Sequence, residues 1–262
     1  MPRARLAAMR ALRLDPRNTD AHTAMCFVSS VYDWAWEFVE EQYAGALACG
    51  TPPPLLMNVR VLVLATAFGR LDDALSEGRR GAELDPLSAP GQLGLQIALL
   101  QAERYAEAEA SCRYALDLDP TFWMGRRVLG MVLKGAGRHD ETIAELTRAN
   151  TEANGLPFVF TDLMSAVAAA GDRGRVDAML DELILRGRTA YVQPTMMAGA
   201  LALLGRSDEA FAWLERAYRE HDPVLPTLNY GSIVAGRTAL RSDPRLGHLM
   251  RRIGLEPAPD LA

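Results

Sequence analysis

Apolar residues recur along most of the chain at intervals of three and four, the spacing that places them on one face of an α-helix. The clearest stretch runs from Val128 to Leu133 and is followed by Gly137, a residue suited to the left-handed conformation that ends a helix. A second amphipathic stretch opens with Asp140 and Glu141, whose carboxylates suit the positive end of a helix dipole. This pattern predicts pairs of antiparallel helices joined by short turns.

The helix pairs repeat with a period of 34 residues. Glycine marks the turn between the paired helices at Gly69, Gly137, Gly171 and Gly205, and Glu103 stands at the remaining step of that period. An arginine follows the turn position by one residue and an acidic residue by four, at Arg70 and Asp73, Arg104 and Glu107, Arg138 and Glu141, and Arg206 and Glu209. Small residues mark two further positions where helices should approach closely, at Ala74, Ala108 and Ala210, and at Gly81, Ala115, Ala149 and Ala217. The strings ending in LDP close units at Pro16, Pro86 and Pro120.

A 34-residue helix–turn–helix unit with these glycine, small-residue and proline positions resembles the tetratricopeptide repeat (TPR) family. The residues that carry the resemblance are Leu129, Gly130, Gly137, Glu141, Leu146 and Ala149 in one unit, and Tyr105, Glu107, Ala108, Ala115 and Pro120 in the unit before it. The resemblance implies an all-α, right-handed superhelical solenoid of about six repeats. We place the repeats at 19–53, 55–88, 89–122, 123–156, 157–190 and 191–222.

The first repeat departs from this pattern at its turn, where Tyr32, Asp33, Trp34, Ala35 and Trp36 replace the glycine and add a residue. This YDW-x-W turn, the closing RSDPR string and the L-x-x-L-M-R-R-x-G-L string after it are together similar to the C-terminal TPR region of many bacterial signalling proteins. Those proteins include winged-helix transcriptional regulators, adenylate cyclases and serine/threonine kinases. The chain contains no motif of such an effector domain, so the resemblance implies a regulatory module.

Both ends of the chain lie outside the full repeats. Residues 1–18 match only the second helix of a repeat, which indicates a fragment, a truncated gene or a piece that pairs with another chain, or alternatively a single capping helix. Residues 223–262 are predicted to form helical caps, with Asp243 and Pro244 opening the last helix. A short helix is expected within 225–240, where Ile233 and Val234 add apolar positions, and residues 256–262 are expected to fray.

Composition and charge favour a cytoplasmic protein without a membrane span. The chain is 49% hydrophobic and 23% charged, with a formal net charge of −5. The longest apolar stretch, 55–68, contains Asn58 and Arg60 and is shorter than the roughly 20 residues that a bilayer helix needs. The arginine clusters near both ends are predicted to be solvated helix faces, so we expect no nucleic-acid binding by this chain alone.

We expect neither catalysis nor a bound cofactor. His139, Asp140 and Glu141 form the one compact acid–base cluster, but they occupy a repeat turn, so a structural role is favoured and an enzyme remains a remote alternative. His22 and Cys26 lie four residues apart on one predicted helix, but no second pair of ligands accompanies them, so no metal site is predicted. The aromatic side chains of the YDW-x-W turn are expected to pack between helices rather than to form a pocket.

The resemblance implies that the first helix of each repeat lines a concave groove. The groove residues that we assign to partner binding are Phe27, Val59, Val63, Leu93, Ile97, Leu100, Met124, Arg127, Met131 and Lys134. Such an apolar lining predicts a cover, because large apolar patches are uncommon on soluble monomers. An amphipathic helix is the simplest occupant, and it could belong to a partner protein, to an effector domain of the same polypeptide, to a second copy in a homodimer or to the C-terminus of this chain. The alternative function is a sensor domain that binds a small molecule or short peptide.

Overall fold

The computed structural model describes residues 1–50, 52–231 and 235–261, and every regular element in these residues is helical. The α-helices are α1 (Pro2–Leu14), α2 (Thr19–Val28), α3 (Trp36–Cys49), α4 (Pro54–Leu62), α5 (Leu71–Leu84), α6 (Ala89–Gln101), α7 (Tyr105–Leu118), α8 (Trp123–Gly135), α9 (His139–Glu152), α10 (Pro157–Ala169), α11 (Arg173–Arg186), α12 (Pro194–Leu203), α13 (Ser207–Glu220), α14 (Arg237–Leu240) and α15 (Pro244–Arg252). Short 3₁₀ helices lie at Leu225–Leu228 and Pro259–Leu261. The predicted all-α fold class is confirmed. None of the described helices is long and apolar enough to cross a bilayer.

Six helix pairs, from α2–α3 to α12–α13, stack along the chain, and each first helix also contacts a neighbouring repeat. The pairs occupy the ranges assigned from the 34-residue period, except that α4 begins one residue early at Pro54. The core runs through the stack because each pair buries one face inside itself and another against the next pair.

The turns between paired helices use the left-handed backbone that the glycine period predicts. Gly137 has φ +77° and Gly171 has φ +83°. Glu103, which stands where glycine is missing from the period, adopts the same conformation with φ +57°. The turn geometry is therefore retained without glycine, although the Cβ of glutamate makes this left-handed conformation sterically unfavourable.

The recurring arginine and acidic residues form ion pairs at the start of four second helices, α5, α7, α9 and α13. The N–O distances are 2.6 Å for Arg70–Asp73, 2.6 Å for Arg104–Glu107, 2.5 Å for Arg138–Glu141 and 2.7 Å for Arg206–Glu209. These side chains are largely exposed, so solvent screens each pair and it contributes little to stability. Their periodicity reflects the repeated turn.

The first helices of repeats 1 and 2 end differently from the others, in π-helical segments at Ser29–Asp33 and Val63–Ala67. A π-turn accommodates an additional residue within a helix. In repeat 1 this segment absorbs the residue that the YDW-x-W turn adds, and Trp34 then takes the left-handed conformation with φ +53°.

The two ends of the chain are both packed onto the repeats. Helix α1 buries Ala8 against α2, whereas its Leu6 is 66% exposed. At the other end, the predicted apolar stripe of α15 is buried. The expectation that residues 256–262 fray is wrong for the described part, because Ala258 and Leu261 are 1% and 4% exposed.

The short helix expected within 225–240 is replaced by two elements. Leu225–Leu228 forms a 3₁₀ turn, and Arg237–Leu240 forms the single-turn helix α14. Ile233 and Val234, which contributed to that expectation, lie outside the described residues. Pro226 and the two glycines Gly231 and Gly236 interrupt the apolar pattern, which accounts for the division.

The close approach of paired helices predicts the effect of adding volume. Ala108 is completely buried, whereas Ala106 on the same helix is exposed. We expect Ala108→Leu to lower the free energy of unfolding by about 1–3 kcal/mol, because the larger side chain has no space between the helices. Ala106→Leu is the matched control and should change it by less than about 0.5 kcal/mol. Urea denaturation of both variants checks this, and equal effects would contradict the close packing.

Candidate functional site

The ten residues assigned to the concave face divide into two groups by exposure. Val59, Val63, Leu93, Leu100 and Met131 are between 4% and 8% exposed. Phe27, Ile97, Met124, Arg127 and Lys134 are half-buried. The half-buried apolar side chains of α6 and α8 thus present surface on the middle repeats, whereas the assigned residues of repeat 2 are covered.

Val59 is buried against repeat 1, whereas Val63 is covered by the C-terminal part of the same chain. Val63 belongs to one buried cluster with Leu225 and Leu228. The backbone N–H of Tyr230 donates to the carbonyl oxygen of Thr66 at 2.8 Å. Because Thr66 lies in a π-helical segment, the chain's own C-terminus docks where the first helix of repeat 2 departs from α-helical geometry.

Asn229 is the centre of this docking. Its side chain is fully buried, and its amide nitrogen donates to the carbonyl oxygens of Ala67 at 2.9 Å and Glu256 at 2.8 Å. Its amide oxygen accepts from the N–H of Ala258 at 2.9 Å. A buried amide must satisfy its donors and acceptor, so this one side chain ties repeat 2 to the last residues of the chain.

Arg237 fixes the segment that carries Asn229. Its guanidinium is buried, and Nε donates to the carbonyl oxygen of Leu228 at 2.8 Å. Two further nitrogens contact the carboxylate oxygens of Asp260 at 3.1 Å each. A bidentate arginine–carboxylate pair holds both partners in one orientation, so the 3₁₀ turn and the final residues form one unit.

The aromatic turn of repeat 1 contacts the end of repeat 6. The ring of Trp34 stacks on His221 at 4.6 Å and on Tyr218 at 5.6 Å between centroids. A ring nitrogen of His221 lies 2.6 Å from the carbonyl oxygen of Tyr32, and the indole N–H of Trp36 donates to the carbonyl oxygen of Ile253 at 2.9 Å. These aromatic side chains pack between helices, as expected.

Sequence reasoning did not pair these two regions. The YDW-x-W turn and the closing L-x-x-L-M-R-R-x-G-L string are the two places where the chain departs from its repeat, and Trp36 and Ile253 place them in contact. Both departures therefore serve the same interface. The sequence did contain one signal for this contact, because both strings interrupt the 34-residue period.

A charged cluster joins the first helices of repeats 4 and 5, α8 and α10. Arg127 Nε is 2.5 Å from a carboxylate oxygen of Asp162, and Lys134 Nζ donates to Ser165 Oγ at 2.9 Å. Burial raises the pKa of Asp162 and lowers that of Lys134, because a low-dielectric environment disfavours either charge. With Arg127, Lys134 and Asp162 all ionised, the cluster carries one excess positive charge. Asp162 was not assigned from the sequence, although it follows Arg127 by one repeat period plus one residue.

The residues weighed for catalysis or metal binding have structural partners. Glu141 is paired with Arg138, which lowers the carboxyl pKa and leaves the acid ionised beside an exposed His139. The ring nitrogens of His22 contact Gln42 and the carbonyl oxygen of Pro16, and burial raises the pKa of Cys26 to about 11. Among the described residues, no group of three side chains is arranged to hold a metal ion.

Solved structures with a similar arrangement of helices include tetratricopeptide repeat proteins. A tetratricopeptide repeat protein from Parabacteroides merdae superposes with a TM-score of 0.61 at 14% identity, over 95% of this chain and 91% of that one. The chain has the tetratricopeptide-repeat fold. PilW, a type IV pilus biogenesis factor, matches with a TM-score of 0.57 at 16% identity, over 75% and 88% of the two chains. A thermophilic TPR protein of Thermus thermophilus gives 0.50 at 16% identity, over 68% and 95%. No family model and no curated protein matches the sequence.

The docking of the C-terminal segment predicts a large effect for its central amide. Asn229→Ala removes three hydrogen bonds and leaves the carbonyl oxygen of Ala67 without its partner, so we expect a loss of about 1–3 kcal/mol in the free energy of unfolding. Asn58→Ala, which removes one exposed bond to the carbonyl oxygen of Pro90, is the control and should cost less than about 1 kcal/mol.

Hydrogen exchange locates the effect. In Asn229→Ala, amides of residues 63–69 and 225–231 should exchange at least tenfold faster, whereas those of α7 and α9 keep their relative protection. A uniform increase across all the repeats would contradict a local role for this contact.

Proposed function

We propose that the chain is a non-catalytic TPR scaffold that binds an apolar or amphipathic helical segment of a partner protein on the concave face of its third to fifth repeats. The observation that carries the proposal is the half-buried apolar surface of Ile97 and Met124, which lies on first helices outside the region that the C-terminal segment covers. An amphipathic helix buries its apolar stripe in a groove of this kind.

The charged cluster gives this surface an electrostatic preference for one kind of partner. Arg127 and Lys134 face a single carboxylate, Asp162, so the excess positive charge favours a partner helix with an acidic residue beside its apolar stripe. Met124 and Met131 support adaptable packing, because the unbranched thioether side chain adjusts to different shapes. The segment from 225 to 261 already packs on repeat 2 through apolar and backbone contacts, which supports protein recognition on this side of the repeats.

We further propose that the chain acts as a regulatory module of a bacterial signalling or transcription-regulating protein in the cytoplasm. The support is the pair of strings that resembles the TPR region of such proteins, together with the contact between Trp36 and Ile253 that joins them. An effector domain of the same polypeptide, or a second copy, remains among the partners that the groove would accept. Fold likeness at 14–16% identity adds nothing on this point.

Site-specific photo-crosslinking tests the groove. A benzoylphenylalanine at Met124 should crosslink a discrete partner in cells that contain the full set of native proteins, whereas the same group at Leu185, which is 61% exposed on α11, should not. We expect Ile97→Asp to reduce the Met124 crosslink at least tenfold, because a carboxylate replaces the apolar contact surface.

Leu185→Asp is the matched control and should leave that crosslink unchanged. Thermal denaturation of both aspartate variants must show that the fold is kept. The groove assignment fails if Ile97→Asp captures the partner as well as the unmodified chain does, or if the crosslink forms at Leu185 and not at Met124.

A further inference from the structure

A surface cavity of about 200 Å³ lies at one end of repeat 2, where α4 begins and α5 ends. The residues that line it are Pro52, Pro54, Met57, Gly81, Leu84 and Asp85. Met57 is 2% exposed, whereas Leu84 at the opening is 48% exposed. The cavity therefore has apolar walls, a buried base and one carboxylate.

Gly81, which lines this cavity, departs from the residue type found at its position in other repeats. The same position holds Ala115, Ala149 and Ala217 in other repeats, and each of these alanines is completely buried. A Cβ added at Gly81 would lie 3.5 Å from Met57 Cβ, an ordinary van der Waals contact. Glycine weakens a helix interior relative to alanine, and here neither space nor backbone conformation requires it. Glycine at this position keeps the cavity open.

Asp85 differs in its side-chain hydrogen bonding from the aspartates at the same position of the other two LDP strings. Asp15 Oδ1 accepts from the N–H of Arg17 at 2.9 Å, and Asp119 Oδ1 accepts from the N–H of Thr121 at 2.9 Å. The Asp85 carboxylate makes no hydrogen bond or ion pair with any residue that the structure describes. An apolar cavity thus lies beside a negative charge without a counterion.

We propose that this cavity binds one aliphatic side chain of a partner protein segment, with a neighbouring lysine or arginine of that segment pairing with Asp85. The volume suits a side chain of leucine or methionine size, and Pro52, Pro54 and Met57 supply its apolar contacts. A basic neighbour satisfies the free carboxylate, whereas an acidic one is repelled. This surface shares no residue with the concave-face cluster, so it does not depend on the proposed function.

Two short peptides test the charge preference. Acetyl-Leu-Lys-Lys-amide and acetyl-Leu-Glu-Glu-amide are titrated separately into the full chain, with ¹³C-methyl-labelled methionine as the reporter. The Met57 methyl resonance should shift saturably with the basic peptide, and the acidic peptide should bind at least fivefold more weakly. A Met57 resonance that the basic peptide leaves unmoved would overturn the proposal.

Variants of the cavity supply the second test. Gly81→Ala fills part of the space and should weaken binding of the basic peptide at least fivefold while raising the melting temperature. Gly174→Ala is the matched control, because an added Cβ there has its nearest neighbour at 4.0 Å and α11 lies apart from the cavity. Its binding should equal that of the unmodified chain. Asp85→Asn should abolish the difference between the two peptides.

Three results would contradict the assignment. Equal binding by Gly81→Ala and Gly174→Ala would exclude the cavity as the contact site. A charge preference that survives in Asp85→Asn would exclude the carboxylate. Light scattering that shows a dimer of the unmodified chain, lost in Gly81→Ala, would assign the cavity to a second copy of this chain in place of a partner segment.

Discussion

The docking of the C-terminal segment on repeat 2 is centred on the buried side chain of Asn229. Its hydrogen bonds join the end of the first helix in repeat 2 to two backbone groups near the end of the chain. Arg237 and Asp260 hold those same stretches together from the other side. Since each of these polar groups is buried or partly buried, the loss of one partner leaves the others unsatisfied, and the contact forms or fails as a unit.

This contact separates two groups among the residues assigned to the concave face. Over repeat 2 the chain supplies its own cover through Leu225, Leu228 and Tyr230. On repeats 4 and 5 the chain carries Arg127, Lys134 and Asp162, which place two basic groups and one carboxylate in a desolvated environment. Burial of unbalanced charge is unfavourable unless something else compensates it, so the middle repeats carry a polar feature that simple helix packing does not need.

The sequence predicted the repeated parts of the fold well because the same local contacts recur in each repeat. The glycine turns, the arginine–acid pairs such as Arg138–Glu141 and the small buried residues such as Ala108 are all set by contacts within one helix pair or between neighbours. Periodicity reports such contacts directly.

The sequence could not predict contacts between segments that lie outside the 34-residue repeat pattern. Trp36 and Ile253 are 217 residues apart, and nothing in either string indicates its partner. The packing of residues 256–261 was missed for the same reason, because terminal residues without a pattern are usually mobile, whereas here the tertiary contacts of Asn229 and Arg237 hold them. The residues assigned to the concave face were placed by analogy with the repeat, and the burial of Val63 among them involves a long-range contact with Leu225 and Leu228.

The pairing of Trp34 with His221 changes how the molecule should fold. An open array of repeats has almost only local contacts, so its segments can order independently and in sequence. Here the Tyr32 carbonyl and the His221 ring, 189 positions apart in the chain, touch, which raises the contact order and adds a loop closure that repeats 2 to 5 must span. We therefore expect closure of this contact to be slower than the local ordering of the helix pairs, and unfolding to be more cooperative than that of an open array.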